Sequence, residues 1–398
     1  MTSTPVGDEG PRTRIPRDPD DDYSESAART RRDFLSARTG AGLTGIASYS
    51  LDPQGLRGNI ENFIGAAQVP IGIAGPLLMN GEHAQGEFYV PLATTEGALV
   101  ASYNRGMRLL HEAGGVTATV VDDRMQRSPV FMFPDALRAR NFGDWVDEHL
   151  DGIAAAAETT TRVGEFIGIQ QFAVGPLLHL RVNFRTGDAA GQNMTSKATL
   201  AACEWIQANH PDHPRFMLSG NTDTDKKHSA MNTIMTRGKR VIAEASIPAD
   251  ALRDIMKVDP ASLFHARQIS QAGAFLAGSS NNGSHSANGL TALFIATGQD
   301  AANVAESHAA ITYTQLLENG DYYWSITLPS LIIGTYGGGT GLATQRECLA
   351  LLGCTETGSA HKLAEIAAGT VLAGEISLAS AVLHGDWVTG HENLGRNR

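Results

Sequence analysis

Residues 178–206 read LHLRVNFRTGDAAGQNMTSKATLAACEWI, and this stretch decides the fold class. Apolar and polar residues alternate from Leu178 to Arg185, which predicts a strand with one solvated face. Beyond it, apolar residues recur at helical spacing from Met194 to Trp205. A strand followed by a turn and a helix indicates an α+β unit, which we expect to extend from residue 129 to residue 217.

The turn between this strand and this helix is a candidate phosphate site. We expect Asp188 to cap the N-terminus of the following helix. Free N–H groups and the helix dipole at such a terminus attract a phosphate. Neither DAAGQNM nor the glycine-rich GTYGGGTG of residues 334–341 matches G-x-G-x-x-G or a P-loop. The pattern therefore does not support a Rossmann domain or an NTPase.

The rest of the chain surrounds this unit. The core begins at Glu61 with ENFIGAAQVPIGIAGPLL, whose Gly and Pro residues suit buried strands and tight turns. Residues 1–40, rich in Pro, Asp, Arg and Ser, are expected to form a disordered tail whose later part is helical. After residue 217 the chain is predicted to be largely helical, with glycine-rich interruptions.

Composition excludes several classes of protein. The 398 residues are 42% hydrophobic, enough for two domains with buried cores. The net charge of −11, without a basic stripe, argues against nucleic-acid binding. Three cysteines without C-x-x-C spacing argue against a disulfide framework or a zinc site. We find no apolar run of the ~20 residues that a membrane span needs and no signal-peptide core, so a cytoplasmic protein is expected.

Two groups of charged residues are candidates for catalysis. Glu96 follows an apolar stretch and precedes Gly97, where a partly buried carboxyl could hold a proton near neutrality; a plain glutamate at a helix start is the alternative. Asp225, Lys226 and Lys227 form a charged triplet in a polar loop. A lysine there could neutralise an oxyanion, although a solvated surface run is the better interpretation of the triplet alone.

Three further features carry weaker signals. Asp300 ends the apolar segment GLTALFIATGQD, where a carboxylate is poorly placed against the helix dipole unless it has a site role or caps the next helix. His391 lies near the C-terminus after a long apolar helix predicted from about His361 to Leu383, where a histidine is usually solvated. The run of Gly337, Gly338 and Gly339 gives close backbone access to a ligand or forms an ordinary loop.

Together these segments resemble one family. ENFIG with PIGIAGPL, PLATTEG, DAAGQNMTSK, SGN followed by TDKK, ATGQDAAN, LPSLIIGTYGGGT and the terminal GH occur in the same order in 3-hydroxy-3-methylglutaryl-coenzyme A (HMG-CoA) reductases of the class with a TDKK loop. The resemblance covers residues 57–396. It implies an α+β fold in which a large, mostly helical substrate domain (41–128 and 218–380) carries an inserted, ferredoxin-like cofactor domain (129–217), with a C-terminal flap at 381–398.

The resemblance also assigns a catalytic quartet. By similarity, Glu96, Lys226, Asp300 and His391 match the family's catalytic glutamate, lysine, aspartate and histidine. Lys226 would stabilise the oxyanion that forms when hydride adds to the thioester, and Asp300 would tune that lysine. His391 would protonate the departing coenzyme A thiolate, and Glu96 would protonate the aldehyde oxygen. This scheme needs no metal.

Binding residues are implied in the same way. Those matched to the acyl part of the substrate are Arg127, Ser219, Asp225, Lys227 and, near the thioester, Asn288. Those assigned to the cofactor are Asp188, Asn193 and Arg162, together with the glycine run at 337–339. Arg162 matches an arginine near the 2′-phosphate of NADPH, which favours NADPH over NADH. The family's pairing of ENFIG with the TDKK loop across a subunit boundary implies a homodimer or homotetramer with shared active sites.

Three hypotheses follow. The first is an HMG-CoA reductase that makes mevalonate. The second is a reductase of another acyl-CoA, because Ile269 stands where the family carries a lysine for the substrate carboxylate and Arg267 could replace it only if the chain shifts. Losing such a charge-assisted hydrogen bond costs roughly 1.5–3 kcal/mol. The third is a catalytically silent homologue that forms assemblies. It is the weakest of the three, because the chain retains all four residues that match the catalytic quartet.

Overall fold

The structure, a computed structural model, describes residues 14–279 and 281–385. They belong to two compact units, which divide between Val69 and Pro70. His391 and the rest of the expected flap beyond residue 385 lie outside the described residues.

The first unit is built around one helix, α1 (Glu25–Thr39), so the later part of the expected tail is helical. Ser24 caps its N-terminus by accepting the N–H of Ala27, and Gly40 ends it in the left-handed conformation with φ 71°. The buried guanidinium of Arg31 pairs with Asp22 and donates to the Phe63 carbonyl at 3.0 Å. A charged side chain thereby fastens the helix to the ENFIG segment.

The second unit mixes helices and strands, which confirms the α+β class. Its strands are β1 (Ile71–Asn80), β2 (Gln85–Ala93), β3 (Thr117–Arg127), β4 (Val130–Met132), β5 (Glu165–Val174), β6 (Leu177–Arg185), β7 (Arg215–Met217), β8 (Gly238–Ile247), β9 (Ile311–Leu316) and β10 (Tyr322–Leu331). Its helices are α2 (Leu99–Glu112), α3 (Ala136–Glu148), α4 (Leu150–Glu158), α5 (Gln192–Asn209), α6 (Ala230–Met235), α7 (Ala249–Ala251), α8 (Pro260–Leu276), α9 (Ser286–Thr297), α10 (Val304–Ser307), α11 (Ala343–Leu351) and α12 (Ser359–His384).

Strand β3 connects the two parts of the main sheet. That sheet has eight strands in the order β7-β4-β6-β3-β8-β10-β9, with β5 paired to β6. The first part of β3, from Thr117 to Arg124, pairs with β8, whereas Met125–Arg127 pair with β6. The antiparallel pair β1-β2 forms a separate sheet. Arg127, the last residue of β3, therefore lies on the side of this connection that pairs with β6.

Two hydrophobic cores flank this connection. The larger packs α2, α9 and α12 against the strands around the fully buried Tyr103 and Trp324. The smaller gathers Phe131, Phe142, Ile206 and their neighbours between residues 131 and 216. Burying aromatic and aliphatic side chains in each cluster stabilises both parts of the unit.

Helix α12 passes through the larger core. Among the described residues it is the one helix long and apolar enough to cross a membrane, but 72% of its most apolar window is buried inside the protein. It also carries two buried carboxylates. Glu365 accepts the N–H groups of residues 82–84, and Glu375 accepts those of residues 284–286. The pattern is that of a central core helix which also fixes two loops.

The prediction that strand β6 has one solvated face is wrong. Arg181 and Asn183 on the polar face are 0% and 3% exposed. The strand lies inside the sheet, and the segment around α6 covers it. Arg181 donates to the Asn232 side chain at 2.8 Å and to the Thr236 carbonyl at 3.0 Å, so the buried charge has partners that replace water.

Candidate active site

Two predicted catalytic residues form an ion pair. The Lys226 ammonium lies 2.7 Å from the Asp300 carboxylate, and both side chains are a little under half exposed. Lys226 belongs to the loop between β7 and α6, whereas Asp300 follows α9 after the left-handed Gly298. The other Asp300 oxygen accepts the N–H of Ala302 at 3.0 Å. Asp300 therefore caps the following turn and also pairs with the lysine that the sequence predicts to be catalytic.

The neighbouring Asp225 is held by three side chains. Its carboxylate accepts from Arg127 at 3.2 Å, from Arg237 at 3.0 Å and from the Gln192 amide at 2.9 Å. Burial raises the pKa of Asp225, but the charges of Arg237 and Arg127 outweigh burial and lower it overall. Arg127 also pairs with the buried Asp223 at 3.0 Å. Arg127 and Asp225, both predicted to bind substrate, thus contact each other. Their side chains are held in place without any bound ligand.

A short segment, residues 300–306, faces this loop with three polar side chains. Asp300 pairs with the Lys226 ammonium, and Asn303 accepts from the Gln192 amide at 3.0 Å. Glu306, 1% exposed, accepts the backbone N–H of Lys226 at 3.1 Å. Since Gln192 also binds Asp225, the start of α5 is connected to both the lysine loop and the segment after α9.

Sequence reasoning missed five of these residues: Gln192, Asp223, Arg237, Asn303 and Glu306. Gln192 stands inside the predicted cofactor turn, between Asp188 and Asn193, so its position in the sequence could have identified it. A glutamate among small residues in AANVAES and an arginine in TRGKR carry no local signal of pairing, yet their side chains are 2.5 Å apart and fully buried. Only the three-dimensional contact identifies them.

Glu96 meets a different predicted residue, Asn288. Both Glu96 oxygens accept from the Asn288 amide, at 3.1 and 2.9 Å. Asn288 lies in the first turn of α9, and Asp300 lies beyond its last turn. From Asn288 to Thr297 the helix rises ~14 Å. Among the described residues, Glu96 makes no ion pair with Lys226, so the three quartet members that the structure describes are divided between the two ends of α9.

The expectation that Asp188 caps the following helix is wrong. Helix α5 begins at Gln192 after Gly191, with φ 83° and no side-chain cap. The Asp188 carboxylate instead accepts the N–H groups of Gly358 and Ala360, at 2.7 and 3.0 Å, at the N-terminus of α12. Sequence spacing could not reveal a partner more than 160 residues away. As a result the first-turn amides of α5 have no side-chain cap.

The two segments assigned to the cofactor lie together. The N–H groups of Thr335 and Tyr336 donate to the Asp188 carbonyl, at 2.8 and 3.2 Å. Gly334 packs so closely that a Cβ there would lie 2.6 Å from the Ala190 nitrogen. This contact places the Gly337–Gly339 run beside the turn that starts α5, with Gly337 at φ 84° and Gly338 at φ 57°.

A side chain next to Asp300 joins this assembly. The Gln299 amide donates to the Gly334 carbonyl at 2.8 Å, and its oxygen accepts the Gly334 N–H at 2.9 Å. The glycine loop is therefore fastened on one side to the cofactor turn and on the other to the residue before Asp300.

Other predicted residues are less engaged. Lys227 is exposed, and its ammonium donates to the Asp225 carbonyl at 3.0 Å. Ser219 is exposed in the same loop, and Asn193 is exposed in the first turn of α5. Arg162 lies in an exposed turn between α4 and β5, and among the described residues no hydrogen bond or ion pair joins it to Asp188 or Asn193.

The departure at Ile269 is visible on α8. Ile269 is 62% exposed. Arg267 is buried, donates to the Asn282 carbonyl at 3.1 Å and to the Thr312 hydroxyl, and lies over the Trp324 ring. In this conformation Arg267 does not present its charge at the position of Ile269.

The chain resembles known proteins over most of its length. Residues 27–396 match the hydroxymethylglutaryl-coenzyme A reductase family. It is 46% identical over 378 residues to a 3-hydroxy-3-methylglutaryl-coenzyme A reductase of Pyrococcus horikoshii, covering 93% of this chain and 92% of the relative. A reductase of the same name from Aeropyrum pernix is 45% identical over 381 residues, covering 94% and 90%.

Solved structures have the same fold. A class II 3-hydroxy-3-methylglutaryl-CoA reductase from Streptococcus pneumoniae, in open conformations bound to NADPH, superposes with a TM-score of 0.67 at 20% identity. The similarity covers 89% of this chain and 86% of that one.

Proposed function

Because the chain belongs to the hydroxymethylglutaryl-coenzyme A reductase family, we propose that it reduces the thioester of HMG-CoA to the primary alcohol of mevalonate. The reaction consumes two NADPH and two protons and releases free coenzyme A. The observation that carries this proposal is the Lys226–Asp300 pair, 2.7 Å apart and open to solvent. It places an ammonium beside a site that a substrate carbonyl can reach.

Lys226 stabilises negative charge on the reacting oxygen. When hydride adds to the thioester carbon, the carbonyl oxygen becomes an oxyanion, and an ammonium at hydrogen-bond distance lowers the energy of that state. The Asp300 carboxylate pairs with the ammonium and fixes its direction. Because the charge develops mainly in the transition state, this contact acts on kcat more than on substrate binding.

Two residues supply protons. His391 protonates the coenzyme A thiolate as the carbon–sulfur bond breaks and the aldehyde forms. Glu96 protonates the aldehyde oxygen during the second reduction, and Asn288, which donates to both its oxygens, orients it. His391 has this role by its match to the family motif.

The residues around α5 fit a nicotinamide cofactor. When bound, NADPH supplies hydride to the carbonyl carbon. The uncapped amides at the start of α5 suit a phosphate group, and the small residues Ala189 and Ala190 allow a close approach. The exposed Arg162, which has no ion-pair partner among the described residues, suits the 2′-phosphate of NADPH, and the glycine loop at 337–339 forms an adjacent wall.

The family resemblance also suggests a domain organisation. We place the cofactor domain at 129–217, inserted in a substrate domain formed by 41–128 and 218–380. The separate core between residues 131 and 216 supports an inserted unit, for which we propose a ferredoxin-like arrangement. The tail (1–40) and the flap (381–398) complete the division.

The active site is proposed to lie between two subunits of a homodimer or homotetramer. Glu96 and Lys226 approach opposite ends of α9 within one chain. A second copy that presents its Glu96 to Lys226 would complete the quartet. We place the enzyme in the cytoplasm, an assignment supported by three buried, unpaired cysteines.

A panel of acyl-CoA thioesters tests the substrate. The relatives favour HMG-CoA over the other two hypotheses. We expect NADPH oxidation to be fastest with HMG-CoA and much slower with acetyl-CoA, which lacks the terminal carboxylate. Equal rates, or activity only with another acyl-CoA, would reject HMG-CoA as the substrate and restore the hypothesis based on Ile269.

A further inference from the structure

The backbone of the lysine loop adopts an unfavourable conformation. Asn221, Thr224 and Lys226 have positive φ angles of 67°, 52° and 56°. For residues other than glycine, such an angle is strained and persists only where surrounding contacts enforce it. Contacts from outside the loop must therefore hold Lys226 in this conformation.

Glu306 supplies the most direct of these contacts. One of its oxygens accepts both the Lys226 N–H at 3.1 Å and the Arg237 guanidinium at 2.5 Å. The other accepts the Asn232 amide at 3.3 Å. Arg237 in turn donates to Asp225 at 3.0 Å. Glu306 thus holds residue 226 directly and residue 225 through Arg237.

The same short segment holds both ends of the lysine. Asp300 binds the ammonium, and Glu306 binds the backbone N–H of the same residue. Glu306 is buried, whereas the Lys226 ammonium is close to half exposed. One carboxylate therefore faces the site and the other supports the loop from behind.

On the basis of the proposed function, we propose that Glu306 is a positioning residue, whose carboxylate fixes the backbone of Asp225–Lys226 so that the ammonium meets Asp300 and the reacting oxygen. Glu306 does not touch substrate. It acts through Lys226, so its removal should lower the rate of reduction more than the binding of NADPH.

The obvious alternative is an ion pair that merely stabilises the fold. Removing one partner of a buried pair destabilises a protein wherever the pair lies, because the other charge stays buried. Melting temperature alone cannot separate the two roles. A change in kcat in a folded variant, with an unchanged KM for NADPH, does so.

The experiment compares Glu306→Gln with Glu365→Gln in the full-length protein. Glu365 is a matched control, because its fully buried carboxylate also holds backbone N–H groups, in residues 82–84 away from the lysine loop. We expect both variants to melt earlier than wild type. Below that temperature, Glu306→Gln should lose roughly ten- to hundredfold in kcat, with the KM for NADPH within about twofold of wild type. Glu365→Gln should keep its kcat.

The outcomes separate the two proposals. Wild type without activity on HMG-CoA contradicts the proposed function. Active wild type with an unchanged kcat in folded Glu306→Gln overturns the positioning role, as does an equal loss of kcat in both variants. If Glu306→Gln does not fold, Glu306→Asp decides: it keeps the charge for Arg237, but its shorter side chain cannot also reach the Lys226 N–H. A wild-type kcat in that variant overturns the proposal.

Discussion

Lys226 and Asp300 are joined by a 2.7 Å ion pair, although one lies in the loop after β7 and the other follows α9. The carboxylate holds the ammonium at a position that is open to solvent. It is the part of the predicted quartet that the structure brings together, and the chemistry proposed above depends on it.

Replacement of Lys226 by alanine should stop the reaction. We expect Lys226→Ala to reduce HMG-CoA at less than roughly a thousandth of the wild-type rate, because the oxyanion loses its cationic partner. Lys257→Ala is a matched control, since Lys257 is also an exposed lysine with positive φ, 60°, at the end of a helical turn. NADPH absorbance and circular dichroism provide the readouts. Near-normal activity of folded Lys226→Ala would assign the oxyanion to another donor, with Lys227 the next candidate.

Glu96 of one subunit should share an active site with Lys226 of the other. Glu96→Gln and Lys226→Ala are each expected to be inactive alone. In hybrids obtained by co-expression, one of the two sites would contain both native residues, so a random mixture of dimers should regain about a quarter of wild-type activity. Differently tagged chains allow the hybrid to be purified. An inactive hybrid would show that both residues act within one chain.

His391 should serve only the thioester step. We expect His391→Gln to impair reduction of HMG-CoA severely and to spare reduction of supplied mevaldehyde, which has no thiolate to protonate. The prediction depends on the sequence match, because His391 lies outside the described residues. Equal loss in both half-reactions would exclude the role of thiolate acid, and equal survival would indicate a solvated residue.

Glu306 should make stability depend on pH. Burial raises its pKa from 4.5 to about 7 against the opposing charge of Arg237. Between these values the folded protein retains a proton that the unfolded chain releases, so the stability contributed by Glu306 falls as pH rises. The free energy of unfolding of wild type relative to Glu306→Gln should therefore fall across this range, by at most about 1.4 kcal/mol per pH unit. Urea denaturation measures it, and a difference that is constant with pH would contradict the raised pKa.

The sequence predicted what local patterns determine. Alternation located β6, helical spacing located α5, and the long apolar helix predicted from about His361 to Leu383 corresponds to α12. The order of the motifs identified the family. These features depend on residues close together in the chain, where side-chain periodicity follows directly from backbone geometry.

The sequence failed where distant segments decide the environment. Asp188 looked like the cap of the next helix but caps α12, and Arg181 looked solvated but is covered by the segment around α6. Glu306 had no distinguishing neighbours, because its partner Arg237 is 69 positions away. Such polar contacts depend on the packing of the whole unit, so the spacing of residues along the chain does not predict them.

The most direct test of the proposed function is the stoichiometry of the complete reaction. Purified protein is incubated with limiting HMG-CoA and excess NADPH, and consumed NADPH, free thiol and mevalonate are quantified together. We expect two NADPH oxidised for each coenzyme A released and each mevalonate formed. One NADPH per coenzyme A with aldehyde as the end product, or no consumption of NADPH with HMG-CoA, would contradict a four-electron reduction at this site.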